Sequence, residues 1–65
     1  MARILKDEEK KRIKSAAYNI LDKVTAILEE TKQGNAYSGY IEEKISSIVW
    51  DGSVIQHIIN TINEE

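Results

Sequence analysis

Few residues in this chain are equipped to do chemistry, and their spacing decides how each is read. There is one histidine, His57, and no cysteine, so thiolate catalysis and cysteine–metal sites are excluded. Four adjacent glutamate pairs, Glu8-Glu9, Glu29-Glu30, Glu42-Glu43 and Glu64-Glu65, supply carboxylates. Neighbours on a helix point about 100° apart, so such a pair does not converge on one reacting atom and is expected to be solvated surface. Within one turn of His57 stand Ser53, Asn60 and Thr61, poor company for a metal ion. Gly34, Gly39 and Gly52 match neither the phosphate loop nor the dinucleotide fingerprint. With no nucleophile–base pair either, the expectation is a protein that is not an enzyme, with no cofactor and no metal.

Two constellations suit binding. Lys10, Lys11, Arg12 and Lys14 form a basic run of the kind that meets polyanions. Glu8 stands four residues before Arg12 and can neutralise part of it. The nearest aromatic for base stacking, Tyr18, comes later, so solvated surface is the plain reading, with an acidic protein next and nucleic acid after it. Trp50, Val54 and His57 form a ridge at i, i+4 and i+7, with Tyr37 and Tyr40 upstream. An exposed tryptophan beside an apolar neighbour marks a contact surface. The alternative is that Trp50 is core in a three-helix fold or buried in a homodimer.

The elements that must position these groups are helical. From Ile41 the apolar residues Ile41, Ile45, Ile48, Ile55, Ile59 and Ile62 recur every three or four positions, interrupted only by Gly52. That average of 3.5 is the mark of one helix face meeting another helix. Upstream, Ile13, Ala17, Ile20, Val24 and Ile27 form a matching stripe, flanked by Ala16, Leu21 and Leu28. Asp7 is placed as the cap of a first helix running to about Gln33, with Glu8 and Glu9 at the positive end of its dipole. Gly34-Asn35 is expected to end it in the left-handed conformation, and Asn35 or Ser38 to cap the next. Residues 1–6 extend this helix or form a loose arm.

The second half admits three readings. One helix can run from about 38 to 63. Alternatively Asp51-Gly52 is a break and Ser53 caps a third helix, which brings Trp50 and Val54 toward the core. Asp-Gly also suits the tip of a β-hairpin, but its flanks never alternate in hydrophobicity. A mid-helix glycine costs about 1 kcal/mol, which tertiary packing can outweigh. The turn also brings Ala16 and Ala17 to the level of Gly52, where small residues allow close approach. The balance tips slightly toward the continuous helix.

Sixty-five residues make one domain at most, with a marginal core unless something reinforces it. Without cysteine or a metal set, association is the reinforcement left. The charged fraction of 31% fits solvated helix faces, and 42% of the residues are hydrophobic and periodic, against disorder. Net charge is −2, split into +3 over residues 1–14 and −5 over the remainder. No signal-peptide core or membrane-length apolar run is present, so a soluble cytoplasmic protein is expected. The isoleucine-, lysine- and asparagine-rich composition hints at an AT-rich bacterial or phage genome.

In layout the chain resembles the small helical hairpins of plasmid copy-number Rop proteins and of type III secretion needle co-chaperones. Both have two helices of this size joined near the middle. The co-chaperones also carry a tyrosine early in the second helix and aliphatics at its end, as Tyr40 and Ile55 to Ile62 do here. The likeness transfers no residue roles. The reading is a single all-α domain over 1–65, an antiparallel helical hairpin that dimerises into a four-helix bundle. The three-helix fold is the alternative. The expected function is protein binding of adaptor, anti-factor or chaperone type, through Trp50, Val54, His57, Tyr40 and Tyr37. The alternative is a dimeric nucleic-acid or small-anion binder using Lys10, Lys11, Arg12 and Lys14.

Overall fold

A computed structural model describes residues 3–64, which form two α-helices, α1 (Asp7–Thr31) and α2 (Ser38–Asn63). They pack against one another as a hairpin measuring 49 × 18 × 13 Å. The second helix is continuous through Gly52, which rules out both a third helix and a β-hairpin at Asp51-Gly52. Helical periodicity on both sides of the glycine outweighs its local cost.

The start of α1 is built by Glu9. Lys6 is the capping residue, and Asp7, expected in that role, is the first helical residue. A lysine side chain has no acceptor, so only one half of the reciprocal capping box forms, in which the Lys6 N–H donates to Glu9 Oε1 at 2.8 Å. Arg3 reaches back over the helix end and donates from Nη1 and Nη2 to the two oxygens of Glu9, at 2.8 and 2.7 Å. This forked pair ties residues 3–6 to the first turn. Hydrogen bonds from Arg3, then from the Lys6 backbone, hold the Glu9 carboxyl down at about 2.

A carboxyl with a lowered folded-state pKa stabilises the fold fully above its unfolded value, near ~4.3. The contribution is lost as pH falls through about 2. Protection of the Lys6 amide against hydrogen exchange is therefore expected to decline between those two values while the middle of α1 stays protected. Glu9→Gln should abolish that pH dependence.

The helix ends without a left-handed residue. No described residue, glycine included, has positive φ, contrary to the expectation for Gly34-Asn35. Instead α1 tightens. Lys32 N–H donates to Glu29 O and Gln33 N–H to Glu30 O, both at 3.1 Å, so three-residue turns use carbonyls that would otherwise be orphaned. The chain then strikes α2 at Tyr37, whose own side chain makes no capping bond. Neither Asn35 nor Ser38 caps it. Glu30 does the positioning, accepting the Tyr37 N–H at 3.0 Å across the turn.

The seam on α2 keeps most of the expected positions but is rotated part of a turn toward Asp51 and Ile58. Six of the seven expected seam positions (Ile41, Ile48, Gly52, Ile55, Ile59 and Ile62) are half-buried or buried, and the face extends past them to Lys44, Ser47, Asp51, Val54 and Ile58. Ile45 is exposed by 49%, while Ile58 and Ile62 are only 4% and 3% exposed. On α1 the matching inner row contains Glu9, Ile13, Ala16, Ile20, Lys23, Ile27 and Glu30. Ala16, expected at the flank of the α1 stripe, and Ile58, outside the expected α2 seam, are core. Ala17 and Val24, expected inside, are exposed.

A polar pair explains the rotation. Lys23 Nζ meets Asp51 Oδ2 at 3.3 Å across the seam, with the two side chains 27% and 13% exposed. Placing Asp51 there turns Ile45 outward and leaves Gly52 at the seam's edge. Lys44, on the same face as Asp51, lays its Nζ 5.0 Å from the Tyr40 ring centre. Gly52 is not a point of close helix approach within the chain. A Cβ placed on it meets nothing within 4 Å.

Candidate functional site

The hairpin brings together two segments that are far apart in sequence. With α1 ending at Thr31 and α2 beginning at Ser38, the helices descend in step, so Arg12 comes level with His57. Arg12, Trp50, Ser53, Val54 and His57 line a shallow groove of about 280 Å³ along one flank of the hairpin. Trp50, Val54 and His57 are one turn apart on α2 and supply its wall. Trp50 is 71% exposed, Val54 half-buried and His57 exposed.

Arg12 supplies the charge. Glu8, four residues earlier, forms no ion pair with it, and among the described residues no carboxylate lies within ion-pair distance of its guanidinium. The side chain is exposed at the groove edge. An unpaired guanidinium there offers a planar fork for a carboxylate, while the Trp50 ring offers a broad apolar face. The groove is partly open to solvent.

The remaining basic residues do not join Arg12. Lys10 pairs with Asp7 at 3.2 Å, and Lys14 Nζ sits 5.9 Å from the Tyr18 ring centre. Successive 100° steps distribute Lys10, Lys11, Arg12 and Lys14 around α1. Tyr37 and Tyr40 are also separate from the groove. They lie at the turn end of α2, exposed by 68% and 39%, and ten residues of helix between Tyr40 and Trp50 amount to roughly 15 Å.

Sequence reasoning took the aromatic ridge and the basic run as rival sites, whereas the structure joins one member of each. The available signal was the register of the turn, which sets residue 12 opposite residue 57. Glu9 and Glu30 are not plain solvated surface, because each holds a backbone N–H at a helix start. Among the described residues no group of three or more histidine or acidic side chains is placed to hold a metal. No helix there is long and apolar enough to cross a membrane.

Fold and groove together define a small two-helix hairpin with an exposed tryptophan–arginine flank. Comparison of the chain with protein-family models, curated proteins and solved structures gives no match. The likeness to Rop proteins and needle co-chaperones therefore remains one of layout.

Proposed function

We propose that this chain is a non-enzymatic protein-binding module of adaptor, anti-factor or chaperone type, acting in the cytoplasm of a bacterium or in a phage-infected cell. Its working form is a pair of hairpins closed into a four-helix bundle. The observation that carries the reading is Trp50, a large aromatic held 71% exposed on a regular helix beside an unpaired arginine. Tryptophan and arginine are the residue types that most often dominate binding energy at protein interfaces. Leaving such a ring in water is unfavourable, and covering it stabilises a complex by roughly 25 cal/mol per Å² of apolar surface removed from water. The target chemistry that fits is an apolar side chain seated against Trp50 and Val54, with a nearby carboxylate on Arg12.

A displayed library of random peptides selected on the wild-type protein tests this. It should enrich sequences that pair an aromatic or aliphatic residue with Asp or Glu. Trp50→Ala should remove the enrichment while leaving the helical circular dichroism in place, and Arg12→Ala should remove the acidic preference alone. Enrichment that survives Trp50→Ala would refute the groove as the contact. The polyanion reading makes a different forecast, namely binding of a labelled oligonucleotide that falls steeply with salt. That binding would be lost on neutralising Lys10, Lys11 and Lys14 and would be indifferent to Trp50.

A further inference from the structure

The hairpin carries a second exposed face, on the side opposite the groove. At 100° per residue, Ala17, Leu21, Val24 and Leu28 occupy one flank of the α1 seam, and Ile45, Val49 and Gly52 one flank of the α2 seam. In an antiparallel pair the two helices wind in opposite senses when viewed from one end, so these flanks fall on the same side. Arg12 and Trp50 fall together on the other, as the groove lining shows. The register of the turn aligns the ranks: Val24 stands beside Ile45, Leu21 beside Val49, and Ala17 beside Gly52. Leu21 and Leu28 are each 56% exposed, Val49 62%, Ile45 49% and Val24 40%.

We infer that this face is covered by a second copy of the chain, packed antiparallel about a two-fold axis near Leu21 and Val49. The inference rests on the dimeric form proposed above and specifies its surface. Area is the first argument. The hairpin is 18 Å wide, and its helices run roughly 37 Å, so the face offers on the order of 650 Å² per copy, close to the ~800 Å² per partner of a stable interface. The second is the thin core. Ala16, Ile58 and Ile62 are the only buried apolar residues among those described, and no side chain is fully enclosed. The missing burial must be present whenever the chain is folded, which an identical copy supplies and an intermittent target does not.

Gly52 and the charges orient the pair. The glycine weakens α2, yet its missing side chain makes room for nothing in its own chain. At the end of the ranks beside Ala17, it leaves room for the facing copy's Val24 and Ile45. Lys10 lies at one end of the face and Glu42 at the other, both exposed. Antiparallel packing sets each Lys10 near the other copy's Glu42, whereas parallel packing sets like on like. The two Trp50 grooves then point outward in opposite directions, making the assembly bivalent for its target.

Sedimentation equilibrium of the full chain should give twice the 7.4 kDa monomer mass. Leu21→Glu and Val49→Glu should halve that mass or unfold the chain, and Trp50→Ala should leave it doubled. Cross-linking keeps the test decisive where a variant fails to fold. The chain has no cysteine, so Val49→Cys should form a disulfide-linked dimer under mild oxidation and Trp50→Cys should not. A folded wild-type monomer at all concentrations overturns the proposal, as does a dimer unaffected by Val49→Glu or one cross-linked only through Trp50→Cys. Any of these results leaves the Trp50-dependent peptide selection standing or falling on its own.

Discussion

Replacing Ile58 by alanine is expected to cost about 2–4 kcal/mol of stability, the largest effect of any single truncation in α2. Ile58 is only 4% exposed, and it is one of two large apolar side chains in the core. Alanine would remove three carbons from a position that the rigid backbones of two helices cannot close around. For a domain of this size the change should lower the thermal midpoint by roughly 10 °C or more. Trp50→Ala deletes a far larger side chain, but one that is mostly in water, so it should shift stability by only about 0.5 kcal/mol. Thermal melts of both variants, followed by circular dichroism at one protein concentration, check the pair. Equal losses would mean that Trp50 is core and that the groove is an internal contact.

The second large effect belongs to Lys23 and Asp51. Lys23→Met should destabilise the hairpin by about 2–3 kcal/mol, because it leaves a nearly buried carboxylate without its cation. The Asp51 side chain, only 13% exposed, then carries its charge in the seam without the cation that met it. Replacing both members, Lys23→Met with Asp51→Leu, should recover the loss and can exceed wild-type stability, since desolvating two charges costs nearly as much as their attraction returns. The double variant should also lose definition. With Asp51 apolar, the rows through Ile45 and Gly52 and through Ile58 become near-equivalent seams, and α2 is freed to rotate by part of a turn. Urea denaturation measures the stability of the three proteins. Dispersion of their amide proton–nitrogen spectra measures the uniqueness of packing, and a sharp, wild-type-like spectrum from the double variant would refute the role of the pair in fixing the rotation.

That rotation separates what could be read from the sequence from what could not. The apolar stripe from Ile41 to Ile62 predicts a helix and a partner helix, and both are found over nearly the expected residues. It does not determine which of two adjacent rows faces inward. Ile58 and Ile59 are chemically identical, so hydrophobicity cannot rank them. The deciding contact is between Lys23 and Asp51, twenty-eight positions apart. A single sequence offers no signal that those two charges meet. Polar residues in a seam are ordinarily read as its edge, and here they are its middle.

The candidate site divides in the same way. Trp50, Val54 and His57 are neighbours by helical spacing alone, so their ridge was legible. Arg12 enters it only through the turn, whose tightness depends on Glu30 accepting the Tyr37 N–H and on the three-residue turns after Thr31. The local glycine–asparagine signal pointed to a left-handed end that the chain does not use.

The sequence by itself determined the helices, their antiparallel connection and the surplus of apolar surface, because periodicity and composition act within a few residues of one another. Tertiary structure alone decided the rotation of α2, the outward stance of Trp50 and the meeting of Arg12 with it. Those depend on which side chains touch across the hairpin, and such contacts are set by the joint packing of two rigid helices, which neither helix specifies on its own.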